Sequence, residues 1–326
     1  MRREGLLPPE SRHHHRRHHR HRHRNFLEPS PLHDDDELGL LFLHVPKAGG
    51  TSFARALLAY GCDYNATTGG VGALLESWRA GGGAWRRQCD ADAFARLHAG
   101  HAPLRADDRG RAVGVFRAPV ARLASGFVHN FHDCTAPMER AFGLNCTVGG
   151  DDYACAARLP RAALPAAVRA YARCVGGCQA RLLAGDACGA GDVGGASSRL
   201  PPDPRRRAAR LATAARRLAR FAFAGRTEEW GRSVCAFAAT FAPRRRPYDY
   251  AALFANVRPS PRSPLRDEVE ALVAADDELR DPEDEAVARD AARALDAAEA
   301  RVRGSERHRE CTAAWRAMEA RGLARE

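Results

Sequence analysis

Lysine is almost missing from this chain. Among 51 lysine and arginine residues a single one, Lys47, is lysine. Arginine carries the positive charge everywhere else, so the one ammonium marks a place with a special demand. A compact charge on a flexible stem enters a tight anion site that a planar guanidinium does not fit. Long apolar runs are missing too. No stretch approaches the ~20 apolar residues of a membrane span, and no signal-peptide core precedes residue 38. Aromatic-plus-basic and groove-reading motifs are also lacking, which argues against nucleic acid as the partner of a chain with net charge +11. Cys174-Val175-Gly176-Gly177-Cys178 has no second Cys/His pair at ligand spacing, which argues against a zinc site.

What is present begins with a length of 326 residues, enough for one large α/β domain with appendages. Residues 11–24 contain only Ser, His and Arg, and Asp34-Asp35-Asp36-Glu37 follows. With no apolar pattern, residues 1–37 are expected to be a disordered tail. Residues 1–24 hold eight Arg against two Glu, so much of the net charge lies there and the remainder is mildly basic. Ten cysteines, six of them between 134 and 188, predict disulfides in an oxidising lumen. The sequons Asn65-Ala66-Thr67 and Asn145-Cys146-Thr147 point the same way.

Lys47 sits in Leu41-Phe42-Leu43-His44-Val45-Pro46-Lys47-Ala48-Gly49-Gly50-Thr51-Ser52-Phe53. Leu38 to Val45 reads as a strand covered on both faces of a parallel sheet, stopped by Pro46. Gly49 and Gly50 let an anion approach the main chain. Thr51 or Ser52 then starts a helix with Phe53, Ala54, Leu57 and Leu58 inward. Its N–H groups, with Lys47, Thr51 and Ser52, make an anion site. In a Walker A loop the lysine follows the last glycine, whereas here it precedes both, so the order argues against a P-loop kinase.

The segment Pro46 to Phe53 resembles the 5′-phosphosulfate loop of sulfotransferases that use 3′-phosphoadenosine 5′-phosphosulfate (PAPS). It is most similar to the carbohydrate family of heparan sulfate 2-O- and 6-O-sulfotransferases, whose loop reads Pro-Lys-x-Gly-Gly-Thr-Ser/Thr-Phe. The resemblance implies a P-loop-like α/β fold with a central parallel sheet flanked by helices, and PAPS contacts from Lys47, Ala48, Gly49, Gly50, Thr51, Ser52 and Phe53. It also implies a second element for the 3′-phosphate. Arg111 to Phe116 is a strand candidate, and the apolar spacing of Val120, Leu123, Ala124, Phe127, Val128 and Phe131 marks a helix after it. Arg117 and Ser125 match the phosphate contacts of the family motif Arg-Asp-Pro-Val-x-Arg-x-x-Ser, with Ala118 where the family has Asp.

Sulfuryl transfer to an alcohol needs a proton acceptor, a task suited to histidine. Leu97-His98-Ala99-Gly100-His101-Ala102-Pro103 lies between the two phosphate elements, where the resembling enzymes carry a catalytic histidine. His101 is the first candidate base and His98 the second, with His44 packing beside the site. In-line displacement at sulfur follows, with Lys47 and the loop N–H groups stabilising the leaving phosphate and no metal required.

Residues 132–204 are expected to form a Cys/Gly/Pro-rich insertion with short helices, within a sulfotransferase domain of 38–303. Arg205 to Arg220 reads as a basic helix with Leu211, Ala215 and Leu218 inward. Phe221 to Gly225 resembles the next core strand, and Trp230, Val234, Phe237 and Phe241 mark a packed helix. Arg258 and Arg262 fall where the resembling enzymes close a loop over the nucleotide. Asp281-Pro282 starts a helix in a helical C-terminal region, and 304–326 forms a helical tail.

The resemblance further implies a carbohydrate acceptor, with an anionic glycan among the candidates, and a Golgi lumen location on an N-terminal anchor. No anchor is visible, so either the N-terminus is incomplete or the chain is not anchored. A P-loop nucleotide or small-molecule kinase, and an inactive glycan- or nucleotide-binding relative, remain as alternatives.

Overall fold

Three short parallel strands, β1 (Leu40–Leu43), β2 (Arg111–Phe116) and β3 (Phe223–Arg226), pair in the order β1-β2-β3 in the computed structural model. The structure describes residues 39–61, 101–105, 111–146, 154–189, 203–241, 254 and 263–322. Leu40 pairs with Arg111 and Leu43 with Gly114, while Val113 pairs with Phe223 and Phe116 with Arg226. Side chains alternate across a strand, and here both faces are buried. Leu40, Phe42, Val113, Val115 and Phe223 enter one core with Phe53 and Phe237. Leu41, Leu43, Phe116 and Ala224 enter a second core with Leu182, Leu183 and Leu218. Two-sided burial is why β1 reads as an unbroken apolar run.

Helix α1 (Gly50–Gly61) follows β1 and α2 (Pro119–Val128) follows β2. Then come α3 (Thr135–Phe142), α4 (Ala154–Ala157), α5 (Leu164–Val175) and α6 (Cys178–Ala184). Helix α7 (Pro204–Leu218) precedes β3, and α8 (Trp230–Phe241), α9 (Pro264–Ala275), α10 (Pro282–Val302) and α11 (Glu306–Ala320) complete the described α-helices. Helix α10 packs on β3, α7, α8 and α6. The sequence places its start correctly: Asp281 caps it, accepting from the Asp284 N–H at 3.1 Å, with Pro282 in the first turn.

Among the described residues four disulfides join Cys134 to Cys174, Cys146 to Cys155, Cys178 to Cys188 and Cys235 to Cys311. Three of them lie within residues 132–204, and the fourth ties α8 to α11. Such bonds persist in oxidising compartments, which makes the chain lumenal or secreted in character. Among the described residues no helix is long and apolar enough to cross a membrane.

Several boundaries differ from the sequence reading. Strand β1 covers Leu40–Leu43 only, because His44 and Val45 already belong to the turn toward Lys47. Helix α1 starts at Gly50, not at Thr51 or Ser52, with Phe53 N–H reaching Gly49 O at 2.9 Å. On α7 the inward residue is Ala214, with Leu218, while Ala215 is exposed. The spacing 211, 214, 218 keeps one face of a 3.6-residue helix, and 215 drifts off it. Strand β3 is Phe223–Arg226, since Phe221 ends the turn from α7.

Candidate active site

Parallel strands place their carboxyl ends along one edge, where open α/β sheets bind ligands. Residues 44–50, Arg117-Ala118 and Thr227-Glu228 leave the three strands at that edge. Lys47 has φ 59 and Gly49 has φ 76, so two residues of the β1–α1 turn are left-handed. Gly49 adopts this readily, while a lysine held there is a local strain of the kind found at functional sites. A Cβ on Gly50 would overlap the His44 ring, so glycine lets the imidazole lie against the turn. The N–H groups of Gly50, Thr51 and Ser52 precede the first bond within α1, and no acidic side chain occupies its first turn. Lys47 is half-buried, and its Cγ lies 3.6 Å from where a Cβ on Gly126 would stand, so its stem runs toward α2. Ala48 and Phe53 are buried core residues, Ser52 is buried and Thr51 half-buried.

Arg117 ends β2 and reaches back to this turn: its Nη1 donates to the Lys47 carbonyl at 3.0 Å. The sequence motifs 70 residues apart therefore meet. Buried Gln179 holds the Arg117 backbone from both sides, accepting from its N–H and donating to its carbonyl, each at 2.9 Å. Arg117 Nε is buried with no hydrogen-bond partner among the described residues. Burial lowers the Arg117 guanidinium to about 10, Arg266 and Arg122 push the same way, and Glu228 and Glu270 oppose them. A desolvated cation with an unused N–H beside a helix start is chemically suited to an anion. Ser125 is buried two turns along α2, and no hydrogen bond joins it to Arg117 among the described residues.

Ala118 supplies no side-chain cap to α2, and its own N–H is bonded by a residue distant in sequence. Glu228, just past β3, accepts from the Ala118 N–H at 2.8 Å. Thr227 fastens the same edge, donating to Ala48 O at 2.8 Å. Gln179, Thr227, Glu228 and Arg266 escaped the sequence reading because nothing local marks them.

His101 comes to the same edge. Its ring centroid is 4.7 Å from that of His44 and 4.8 Å from that of His132. His101 Nδ1 and Asp133 Oδ1 are 3.3 Å apart, a hydrogen bond in which Nδ1–H donates. That tautomer leaves the Nε2 lone pair available. Burial alone would raise the Asp133 carboxyl, yet contacts from His101 and His132 outweigh it and hold it well below the usual carboxylate range. Asp133 was missed because a lone Asp before a cysteine carries no signal; its φ of 67 and the Cys134–Cys174 bond next to it fix its place.

His98, Arg258, Arg262 and Asn65 lie outside the described residues, as does the 1–37 tail. Asn145 of the second sequon is exposed. No protein-family model matches the chain, and no curated protein does.

Proposed function

We propose that this protein is a PAPS-dependent sulfotransferase of P-loop-like fold, transferring a sulfuryl group to a hydroxyl of a carbohydrate in the Golgi lumen. The observation that carries the reading is the contact of Arg117 with the Lys47 turn, with a buried Nε on that arginine that has no partner among the described residues. Two anion-seeking elements at adjacent strand ends suit a donor with phosphates on both sides of its ribose. Gly50 lets the His44 ring pack against the turn, and the turn's donor set of ammonium, hydroxyls and N–H groups fits a phosphosulfate.

In this reading Lys47 and the first N–H groups of α1 steady the charge that grows on the leaving phosphate. Arg117, just before α2, and Ser125, on α2, grip the 3′-phosphate. His101, oriented through Nδ1 by Asp133, takes the acceptor hydroxyl proton on Nε2 as that oxygen attacks sulfur. Positive charge for the reaction comes from side chains and a helix end, so the transfer requires no metal. Arg258 and Arg262 belong to the proposed nucleotide contacts, and His98 is the reserve base.

The test is transfer of labelled sulfate from PAPS across a panel of glycans with differing prior sulfation. Transfer to at least one acceptor is expected, falling ~10²–10⁴-fold in His101→Ala. Full activity in that variant turns attention to His98. PAPS binding with no turnover on any acceptor would identify an inactive relative, and preference for ATP with Mg²⁺ would identify a kinase.

A further inference from the structure

The turn after α2 holds a group of side chains that sulfuryl transfer does not use in full. We propose that His101 Nδ1, His132 Nδ1 and Asp133 Oδ1 form a site for a divalent transition metal of the zinc or cobalt class. One ligand atom from each of the three residues lies within 4.8 Å of the other two. Asp133 Oδ1 is 3.3 Å from His101 Nδ1 and 3.2 Å from His132 Nδ1. Metal–ligand bonds of ~2.0–2.1 Å put tetrahedral neighbours roughly 3.3 Å apart, so both distances already have the required length.

A second observation concerns His132 itself. Its Nδ1 is buried and, among the described residues, makes no hydrogen bond of good geometry, although it lies 3.2 Å from the Asp133 carboxylate. A buried imidazole nitrogen aimed at an anion without a hydrogen bond is short of a partner, and a metal between the two supplies one. Two imidazoles with one carboxylate favour zinc-class ions over the oxygen-seeking magnesium and calcium. The side chains of His101, His132 and Asp133 keep 21%, 24% and 19% of their surface exposed, so solvent can complete the coordination.

The ligands are held before any ion arrives. Tyr171 Oη donates to His132 O at 3.0 Å, and His132 N–H donates to Gly126 O at 3.0 Å. Cys134, next in sequence, is bonded to Cys174, and the His44 ring backs that of His101. Such support is what keeps metal ligands in register.

A metal on His101 Nδ1 takes that nitrogen's lone pair and moves the neutral ring's single proton from Nδ1 to Nε2, the wrong form for a base. The consequence, which rests on the sulfotransferase reading, is that zinc switches transfer off. Metal binding itself does not depend on that reading.

The test uses the full chain, stripped with chelator and titrated with Co²⁺. Four-coordinate cobalt absorbs intensely in the visible, whereas loosely held six-coordinate cobalt on the histidines of residues 13–23 absorbs weakly. One equivalent of intense band, bleached by Zn²⁺, is expected. It should weaken by at least about 100-fold in affinity in His132→Ala and Asp133→Asn. His129→Ala should leave it unchanged, although that ring lies 5.4 Å from His132. Far-UV circular dichroism confirms folding, and the near-isosteric Asp133→Asn covers a failure of His132→Ala to fold. No intense band in the unaltered chain, or a band surviving both substitutions, overturns the site and leaves Asp133 as an orienting carboxylate. Cobalt binding without sulfate transfer on any acceptor upholds the metal site while removing the function proposed above. Where transfer occurs, Zn²⁺ should inhibit it, and inhibition should be relieved in His132→Ala.

Discussion

Replacing Asp284 by Ala tests how α2, the helix that begins beside Arg117, is fixed to the rest of the protein. Asp284 Oδ2 lies 2.9 Å from Arg122 Nη2, with the two side chains 0% and 3% exposed. Asp284 Oδ1 also accepts from the Ala180 N–H at 3.1 Å. Without it, the Arg122 guanidinium keeps, among the described residues, the Val175 carbonyl at 3.1 Å and Asp281 at 3.8 Å. Breaking a buried pair by removing one partner costs ~3–5 kcal/mol, because the remaining charge stays buried. Asp281 offsets some of this and the orphaned Ala180 N–H adds to it, so the expected loss is about 4 kcal/mol. That is roughly a thousandfold in the folding equilibrium. Urea unfolding at pH 8 with disulfides intact reads the shift. The double change Arg122→Met with Asp284→Leu should recover most of the loss, since an apolar pair of similar volume is often neutral. A single-variant loss under ~1 kcal/mol, or a double variant as unstable as the single, would refute the reasoning.

Three further outcomes follow from the same structure. Burial, then the neighbouring Asp281, pushes the Asp284 carboxyl above the usual range, with Arg122 opposing. The folded chain therefore holds that proton where the unfolded chain, with a value near ~3.9, has lost it. Stability should fall as pH rises upward from about 4 through the folded value, and Asp284→Asn should flatten that slope in pH-dependent melting. Gln179→Ala leaves the buried N–H and carbonyl of Arg117 unpaired, so a loss of about 1–3 kcal/mol is expected in urea unfolding. Nucleotide affinity, read by calorimetry, should fall with it. Gly50→Ala pushes a methyl into the His44 ring, an overpacking of about 1–3 kcal/mol that should appear in thermal melts together with weaker nucleotide binding.

The strands and helices that frame the site were legible because their signals are local. An apolar run buried on both faces gave β1 and β2, and helical spacing from Val120 gave α2. Glycine pairs and caps marked the Lys47 turn and the start of α10. The residues that finish the site were not legible, because their partners are remote in sequence. Glu228 accepts from the Ala118 N–H across 110 residues, and Gln179 grips Arg117 from 62 residues away. Asp133 finds His101 across 32 residues. Ala215 shows the complementary failure: small residues fit either face of a helix, so a shift of one position is not written in the pattern.

The central claim is that the ammonium of Lys47 and the guanidinium of Arg117 hold opposite ends of one nucleotide. Calorimetric titration with 3′-phosphoadenosine 5′-phosphate tests it most directly. Binding is expected in the unaltered chain and in His101→Ala. Lys47→Ala and Arg117→Ala should each weaken it ~10–100-fold, the worth of one charge-assisted contact. No binding by the unaltered chain, or unchanged affinity in both variants, would contradict the account.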